Sequence, residues 1–366
     1  MQLIISGESH GPGYVGILTG LPAGFIIEEE LIIHELAKRR QALGRSSRQK
    51  LEDDQLEIIS GQLDGKTTGG PLGLVIKNRA RNSREMKIPR PGHVDLAGYY
   101  KYGGLQGMVW ASERASARET VIRVAAGAIL KQFLKYFNIT IGGWVENIGK
   151  ISLPRMDKLP TQTQEQAAKN PLYCPDPETS RLMLKALSEA EECGETLGGI
   201  FNLTALGVPA GLGETGNWEK RMDARIAQAL MSIPGVKGVE IGHGFALASL
   251  TGSEAQDEIE PKKGITHKTN RAGGLEGGLS NGEAILARVA VKPIPTNNKG
   301  LASIDLTDQK PAPAPYYRSD TCAVPAALTI GQAMLALVIT ENLRKKFGGD
   351  TIEEMLSHYH SYLERF

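Results

Sequence analysis

Residues 7 to 12 read Gly7, Glu8, Ser9, His10, Gly11 and Pro12, directly after the apolar Leu3, Ile4 and Ile5. A strand that ends in this run presents a carboxylate, a hydroxyl and an imidazole in one turn. Histidine titrates near physiological pH, so it gives or takes a proton at little cost. The flanking glycines let a ligand approach the backbone closely. Four further islands set polar groups in Gly or Pro frames. Pro89 to Asp95 holds a second histidine, His93, in a rigid, non-helical segment. Ser112 to Thr120 reads as a helix N-terminus, where free N–H groups, the helix dipole, Arg114 and Arg118 suit an anion. Lys292, Pro293, Ile294, Pro295 and Thr296 leave a strand with their backbone groups unpaired by regular structure. Tyr317, Arg318, Ser319 and Asp320 follow the stiff tract Pro311 to Pro315, which places an Arg and an Asp in one fixed loop.

Two tempting motifs fail on context. Gly11 to Gly16 fits G-x-G-x-x-G, but Gly20, Pro22 and Gly24 follow where a helix must hold the pyrophosphate. Gly61 to Thr67 is one residue short of a phosphate loop, and Thr68, Gly69, Gly70 and Pro71 then exclude a helix. The net charge of +1 over 366 residues and the lack of interleaved aromatics exclude a general nucleic-acid binder. Arginines nonetheless cluster: Arg39, Arg40, Arg45 and Arg48, then Arg79, Arg81, Arg84 and Arg90. Guanidinium groups pair with phosphate and carboxylate in bidentate fashion, so the clusters suit a small, highly charged anion. Cys174, Cys193 and Cys322 are odd in number and form no C-x-x-C pair, which points away from a disulfide framework and toward a reducing compartment. No targeting leader is expected, and the apolar runs read as interrupted before the roughly 20 residues of a membrane span.

The elements that must position these groups alternate between strand and helix. Glu28 to Arg40 reads as a helix, Leu56 to Ser60 and Leu72 to Ile76 as strands. The clearest helix begins near Ala117, with Ser116 and Glu119 spaced as a capping box and Ile122, Ala126, Ile129, Phe133 and Phe137 recurring at helical spacing. Residues 154 to 178 read as a surface connection, Arg221 to Ile233 as a helix, and Thr329 to Phe347 as a helix closed by Gly348 and Gly349. Thr351 and Glu354 cap a last helix, 351–366.

The chain also echoes itself. Leu21, Pro22, Ala23 and Gly24 resemble Val208, Pro209, Ala210 and Gly211; later, Gly65 to Gly69 parallels Gly278 to Gly282. Two matches in the same order predict a duplicated unit. The expectation is one α+β domain over 1–366 with pseudo-twofold character and repeat halves of about 1–150 and 195–345.

Taken in order, these islands resemble the chorismate synthase family, from residue 3 to about residue 345. The motifs that carry the resemblance are Gly7 to Pro12, Pro89 to His93, Glu113 to Thr120, and Arg318, Ser319 and Asp320. They are supported by Gly65 to Gly69, Gly273 to Gly278, and Lys292 to Thr296. The resemblance implies a β-α-β sandwich, a cytoplasmic homotetramer and a lyase of aromatic amino acid biosynthesis. It implies 1,4-anti elimination of phosphate from 5-enolpyruvylshikimate 3-phosphate, using reduced FMN (FMNH2) without net redox change. Roles carried over by the resemblance make His10, His93 and Asp320 catalytic. Arg114, Ala115, Ser116, Gly277, Lys292 to Thr296 and Arg318 become the flavin site. Ser9, Arg39, Arg40, Arg45 and Arg48 become substrate or NADP contacts, and NADPH or an external flavin reductase supplies the reductant.

Three segments depart from the family pattern: Asn78 to Arg81 after the strand at Val75, the short stretch before His93, and Gly103 to Trp110. The enzyme rival is a flavin-dependent reductase, which would consume NADPH stoichiometrically. No metal site is expected, since His358 and His360 point to different faces of a helix.

Overall fold

Alternating burial along short strands builds two antiparallel sheets, and long apolar helices fill the space between them. In the computed structural model the described residues are 1–45, 53–79, 85–154, 160–261, 265–317 and 319–365; Arg48, Arg81, Arg84 and Arg318 lie outside them. The chain begins with β1 (Gln2–Gly7), β2 (Gly13–Thr19), β3 (Ala23–Ile26), α1 (Glu29–Gln41), β4 (Leu56–Ser60), β5 (Gln62–Leu63), β6 (Lys66–Thr68) and β7 (Leu72–Lys77). A helical hairpin, α2 (Asp95–Tyr102) and α3 (Gly104–Arg114), leads to α4 (Thr120–Lys135). Then come β8 (Thr140–Ile148), β9 (Ile151–Ser152), α5 (Pro160–Ala168), α6 (Pro177–Glu192), β10 (Gly199–Leu206), α7 (Met222–Met231) and β11 (Val236–Ile241). The remainder is α8 (Gly252–Ala255), β12 (Ile259–Pro261), β13 (Ile265–His267), β14 (Leu275–Glu276), β15 (Leu279–Ser280), β16 (Ile285–Val291), β17 (Ala302–Ile304), β18 (Pro311–Pro313), α9 (Val324–Phe347) and α10 (Ile352–Leu363).

The first sheet has the order β1-β2-β7-β4 and the second contains β8-β10-β16-β11, with β9 at its edge beside β8. The two orders correspond strand for strand. In each half a helix (α1 or α7) precedes the fourth strand of that order, and a long helix (α4 or α9) follows the third. The motif echo marks the same hydrogen bonds twice. Thr67 Oγ1 donates to Pro22 O at 2.6 Å and accepts from Phe25 N at 3.0 Å. Ser280 Oγ donates to Pro209 O at 2.6 Å and accepts from Leu212 N at 2.8 Å. Duplication is therefore visible in topology and in local chemistry.

Packing follows the pleat. Tyr14 and Leu18 of β2 and Leu72, Leu74 and Ile76 of β7 turn inward, as do Phe201, Leu203 and Ala205 of β10 and Ile285, Ala287 and Val289 of β16. Helix α4 covers the first sheet, where a Cβ at Gly16 would stand 2.4 Å from Ile122 Cγ2. Helix α9 covers the second, with Gly331 against Phe201. The two helices meet where Gly127 admits Ala333, at 2.2 Å from the position of a Cβ.

Four expectations change. Helix α9 is long and apolar enough to cross a membrane, but 83% of its apolar window is buried in the protein; it is the core helix between the sheets. Residues 154 to 178 include α5, with Thr163, Ala167, Leu172 and Cys174 buried, so the segment packs rather than merely connects. Ser116 caps a single 3-10 turn, Ala117–Glu119, by accepting from Arg118 N, while Glu119 pairs with Arg123 instead of reaching back as a capping box. Finally, Ser112, Glu113 and Arg114 close α3 rather than opening a helix, because α3 ends at Arg114 and α4 starts only at Thr120.

Candidate active site

The turn after β1 is held from below by Asn78, the residue that follows β7. Asn78 Nδ2 lies 3.0 Å from Glu8 O, 3.3 Å from Ser9 O and 3.0 Å from Gly11 O, and Asn78 N donates to Pro12 O at 3.0 Å. Its Oδ1 accepts from Arg118 Nε at 3.1 Å. One amide therefore fixes the loop that presents His10. The segment that departs from the family pattern begins with this clamp.

His10 itself leans on α3. Its Nδ1 is 2.7 Å from Glu113 Oε1, and its backbone N donates to Glu113 Oε2 at 2.8 Å. Ser116 Oγ donates to Ser9 Oγ at 3.0 Å, and Arg114 Nη1 donates to Gly7 O at 3.1 Å. His93 lies two residues before α2 opens and pairs with Asp95, Nδ1 to Oδ1 at 2.5 Å. Arg90 grips the same carboxylate through its backbone N, Nε and Nη2 at 3.0, 2.7 and 2.9 Å. Burial would raise the Asp95 carboxyl, but hydrogen bonds from His93 and Arg90 outweigh it and hold the group well below the usual carboxylate range.

The two histidine centres are joined. Arg90 Nη2 donates to Ser112 Oγ at 3.0 Å, and the next residue along α3 is Glu113, the partner of His10. Arg90 Nη1 reaches Thr296 Oγ1 at 3.4 Å, Ser319 Oγ donates to Thr296 O at 2.7 Å, and Asp320 accepts from Arg45 at 2.7 Å. Lys292 Nζ donates to Gly92 O at 2.5 Å. Thus His10, His93, Ser9, Arg114, Ser116, Lys292, Thr296, Arg45 and Asp320 come together from six stretches of the chain. Pro293 to Pro295 run beside them, and a Cβ at Gly92 would stand 3.8 Å from Pro295. Gly277 does not join: its hairpin, β14–β15, packs beside Leu212 and Met222, and among the described residues no hydrogen bond or ion pair links it to this cluster.

The neighbouring Arg39 and Arg40 are placed differently. Arg39 is 1% exposed, and its guanidinium is committed to Thr120 Oγ1, Ala117 O and Asp54. Burial, then the charge of Arg45, pushes it down to about 9. A cation so enclosed buttresses the site from behind, against its expected ligand role. Arg40 keeps a partly exposed guanidinium, 3.8 Å from Asp53.

A cavity of about 620 Å³ abuts the cluster through Gly7, Arg114 and Ala115; Leu3, Ile5, Tyr14, Arg123, Met334 and Leu337 are among its other walls. Neither histidine lines it. Position beside the reactive groups, not cavity size, marks the site.

A family model for chorismate synthase matches residues 1–343. This chain belongs to the chorismate synthase family. It is 45% identical to chorismate synthase from Carboxydothermus hydrogenoformans, over 99% of this chain and 98% of that one. It is likewise 45% identical to the enzyme of that name from Moorella thermoacetica, over 100% and 99%. A crystal structure of chorismate synthase superposes with a TM-score of 0.82 at 38% identity, covering 100% of this chain and 97% of that chain. The protein is a lyase that forms chorismate from 5-enolpyruvylshikimate 3-phosphate with reduced FMN, in the shikimate pathway.

The donor set fits a flavin mononucleotide. Arg114 is half exposed and Lys292 is half-buried, so both present N–H groups for an anionic end. Gly92 leaves room between Lys292 and Pro295.

Sequence reasoning missed Glu113 and Asp95 as partners of the histidines, and Asn78, Arg90 and Arg118 as their supports. Asp95 carried a faint signal, two residues from His93 in a Pro- and Gly-bounded turn. The pairing of Glu113 with His10 spans 103 residues and has none.

Proposed function

We propose that His10 and His93 are the proton-handling groups of the elimination, acting on opposite sides of one site that holds reduced FMN and 5-enolpyruvylshikimate 3-phosphate. The observation that carries this reading is the unbroken chain of contacts from His10 through Glu113 and Ser112 to Arg90 and His93. Reduced flavin supplies transient electron density to the substrate and, with it, a route for removing the C6 proton. His10, with Ser9 and Ser116 beside it, holds a proton at the flavin edge. His93 assists departure of the phosphate.

Arg114, Ala115, Ser116, Lys292 to Thr296 and Arg318 hold the flavin. Arg40, Arg45 and Arg48 bind the substrate phosphate and carboxylates or a nicotinamide nucleotide, while Arg39 supports Arg45 from within. Asp320 works as a base relay whose position Arg45 sets.

The chain is one domain whose halves meet near residue 139, where α4 gives way to β8, with α10 appended. It works in the cytoplasm as a homotetramer, and NADPH or an external flavin reductase keeps its flavin reduced. Self-association is supported by the outer face of the first sheet, where Ile4 and Ile17 pair and Val15 stands nearby, all more than 40% exposed. The matching face of the second sheet carries Arg288 between Glu146 and Glu240.

Anaerobic incubation with FMNH2 and 5-enolpyruvylshikimate 3-phosphate tests the assignment. Equal release of phosphate and chorismate, with NADPH needed only in catalytic amounts, is the expected result. Stoichiometric NADPH consumption without phosphate release would establish the reductase instead.

A further inference from the structure

Both histidines are held at Nδ1 by a carboxylate, and both carboxylates belong to one helical hairpin. Asp95 is the first residue of α2 and Glu113 the last but one of α3. The helices turn through Gly103 and Gly104, both with positive φ, and run back against each other at unusually short range. A Cβ at Gly98 would stand 2.2 Å from Ala111 Cβ and 3.1 Å from Gly107 O. Gly98 lies one helical turn from Asp95, and Ala111 lies two residues from Glu113. The contact therefore lies within one helical turn of each carboxylate along the chain, and Arg90 Nη2 ties the two ends by touching Asp95 and Ser112.

We propose that the α2–α3 hairpin sets both histidines at once: Glu113 and Asp95 are positioning residues for His10 and His93, and the Gly98–Ala111 contact fixes their separation. This rests on the reading of the two histidines as proton-handling groups.

The chemistry is specific about tautomer. An ionised carboxylate only accepts, so the shared hydrogen belongs to Nδ1 and Nε2 is turned away from the hairpin toward the reactants. Arg90 Nη2 also lies 3.0 Å from His93 Nδ1, but its two hydrogens are committed to Asp95 Oδ1 and Ser112 Oγ, so it does not compete for the ring nitrogen. For His10, Glu113 takes the ring with one oxygen and the backbone N–H with the other, which blocks ring rotation. The same logic orients metal-bound and triad histidines elsewhere.

Histidine ¹⁵N spectra of the holoenzyme with FMNH2, recorded beside kcat and KM, test this. In Glu113→Gln the amide oxygen still accepts from the His10 backbone, while the amide N–H₂ faces Nδ1. The expected result is inversion of His10 to the Nε2–H tautomer, kcat lowered about 10- to 100-fold, KM changed less than about threefold, and His93 signals unmoved. Asp95→Asn should mirror this at His93. Gly98→Ala, which leaves both carboxylates in place, should shift both histidines together. Unchanged His10 tautomer and kcat in Glu113→Gln would overturn the positioning role, as would a Gly98→Ala protein in which only one histidine responds. If Asp95→Asn fails to fold because Arg90 loses its partner, the other two variants decide. Full activity in His10→Ala would instead sink the underlying two-histidine reading, a separate result from any of these.

Discussion

Arg45 Nη1 donates to Asp320 Oδ2 at 2.7 Å and so joins two loops 275 residues apart in sequence. The junction is reinforced by Gly44 O, which accepts from Thr321 N at 2.7 Å and Cys322 N at 3.2 Å. Both charged side chains are nearly enclosed, at 10% and 13% exposure. A partly buried pair gains from Coulomb attraction but leaves a stranded charge when one member is removed. Arg45→Ala and Asp320→Asn should each destabilise by about 2 kcal/mol, and the double variant by clearly less than the sum. Urea unfolding of all four proteins measures the coupling; strict additivity would show that the pair contributes nothing.

His10→Ala and His93→Ala should each lower kcat by about 10²–10⁴-fold, the usual worth of general acid–base help. Binding of reduced FMN should change less than about threefold, since neither ring is counted among the groups that hold its anionic end. Single-turnover phosphate release under anaerobic conditions gives the rate. Normal rates in both variants would remove the histidines from the chemistry.

Asn78 holds three carbonyls of the His10 turn with one amide and lies 3% exposed. Asn78→Ala should cost about 1–2 kcal/mol, because partly buried carbonyls lose their donor. Asn78→Asp should be worse for the turn, since a carboxylate facing those carbonyls only accepts. Thermal unfolding reports the stability, and KM for the flavin reports the turn. A neutral Asn78→Ala would mean that the strand alone holds the loop.

Glu35 on α1 meets Lys131 on α4 at 2.5 Å, and Lys131 also reaches Gln332 on α9 at 3.0 Å. Burial raises the Glu35 carboxyl, but Lys131 and Lys38 outweigh it and hold it at about 2. A carboxyl depressed in the folded state contributes stability above its unfolded pKa and loses it as pH falls toward the folded value. The contribution, of order 2–3 kcal/mol, should be intact above about pH 4.5 and disappear between there and about pH 2. In Glu35→Gln the acid limb of the stability curve should flatten while the neutral plateau drops, because Lys131 stays buried without its counter-ion. An acid limb identical to the parent protein's would assign acid sensitivity to other carboxylates, Asp95 among them.

Much of this protein is legible residue by residue. Strand Leu56–Ser60 matches its expected bounds, and α1, β7 and α7 lie within one to two residues of theirs, because local periodicity records which face is buried. The capping box of α10 forms as spelled, with Thr351 accepting from Glu354 N at 3.2 Å. The hairpin of α2 and α3 was not legible. Gly98, Gly103, Gly104 and Gly107 read as loop residues in a propensity argument, whereas in the fold the first and last let two helices touch and the middle pair turns the chain. Helix α9 likewise hides its start, since Val324 and Pro325 open it without a side-chain cap.

The sequence by itself determined the family, the reaction class and the duplicated framework, because turn chemistry and motif order are local properties of the chain. Only the tertiary structure decided how those histidines are held. Glu113 reaches His10 across 103 residues, and Arg39 is sealed behind the site while Arg40 stays partly open. Such pairings depend on which element ends lie side by side after the sheets close over α4 and α9. Enclosure of a charge is likewise a property of the assembled core, and no local pattern records either.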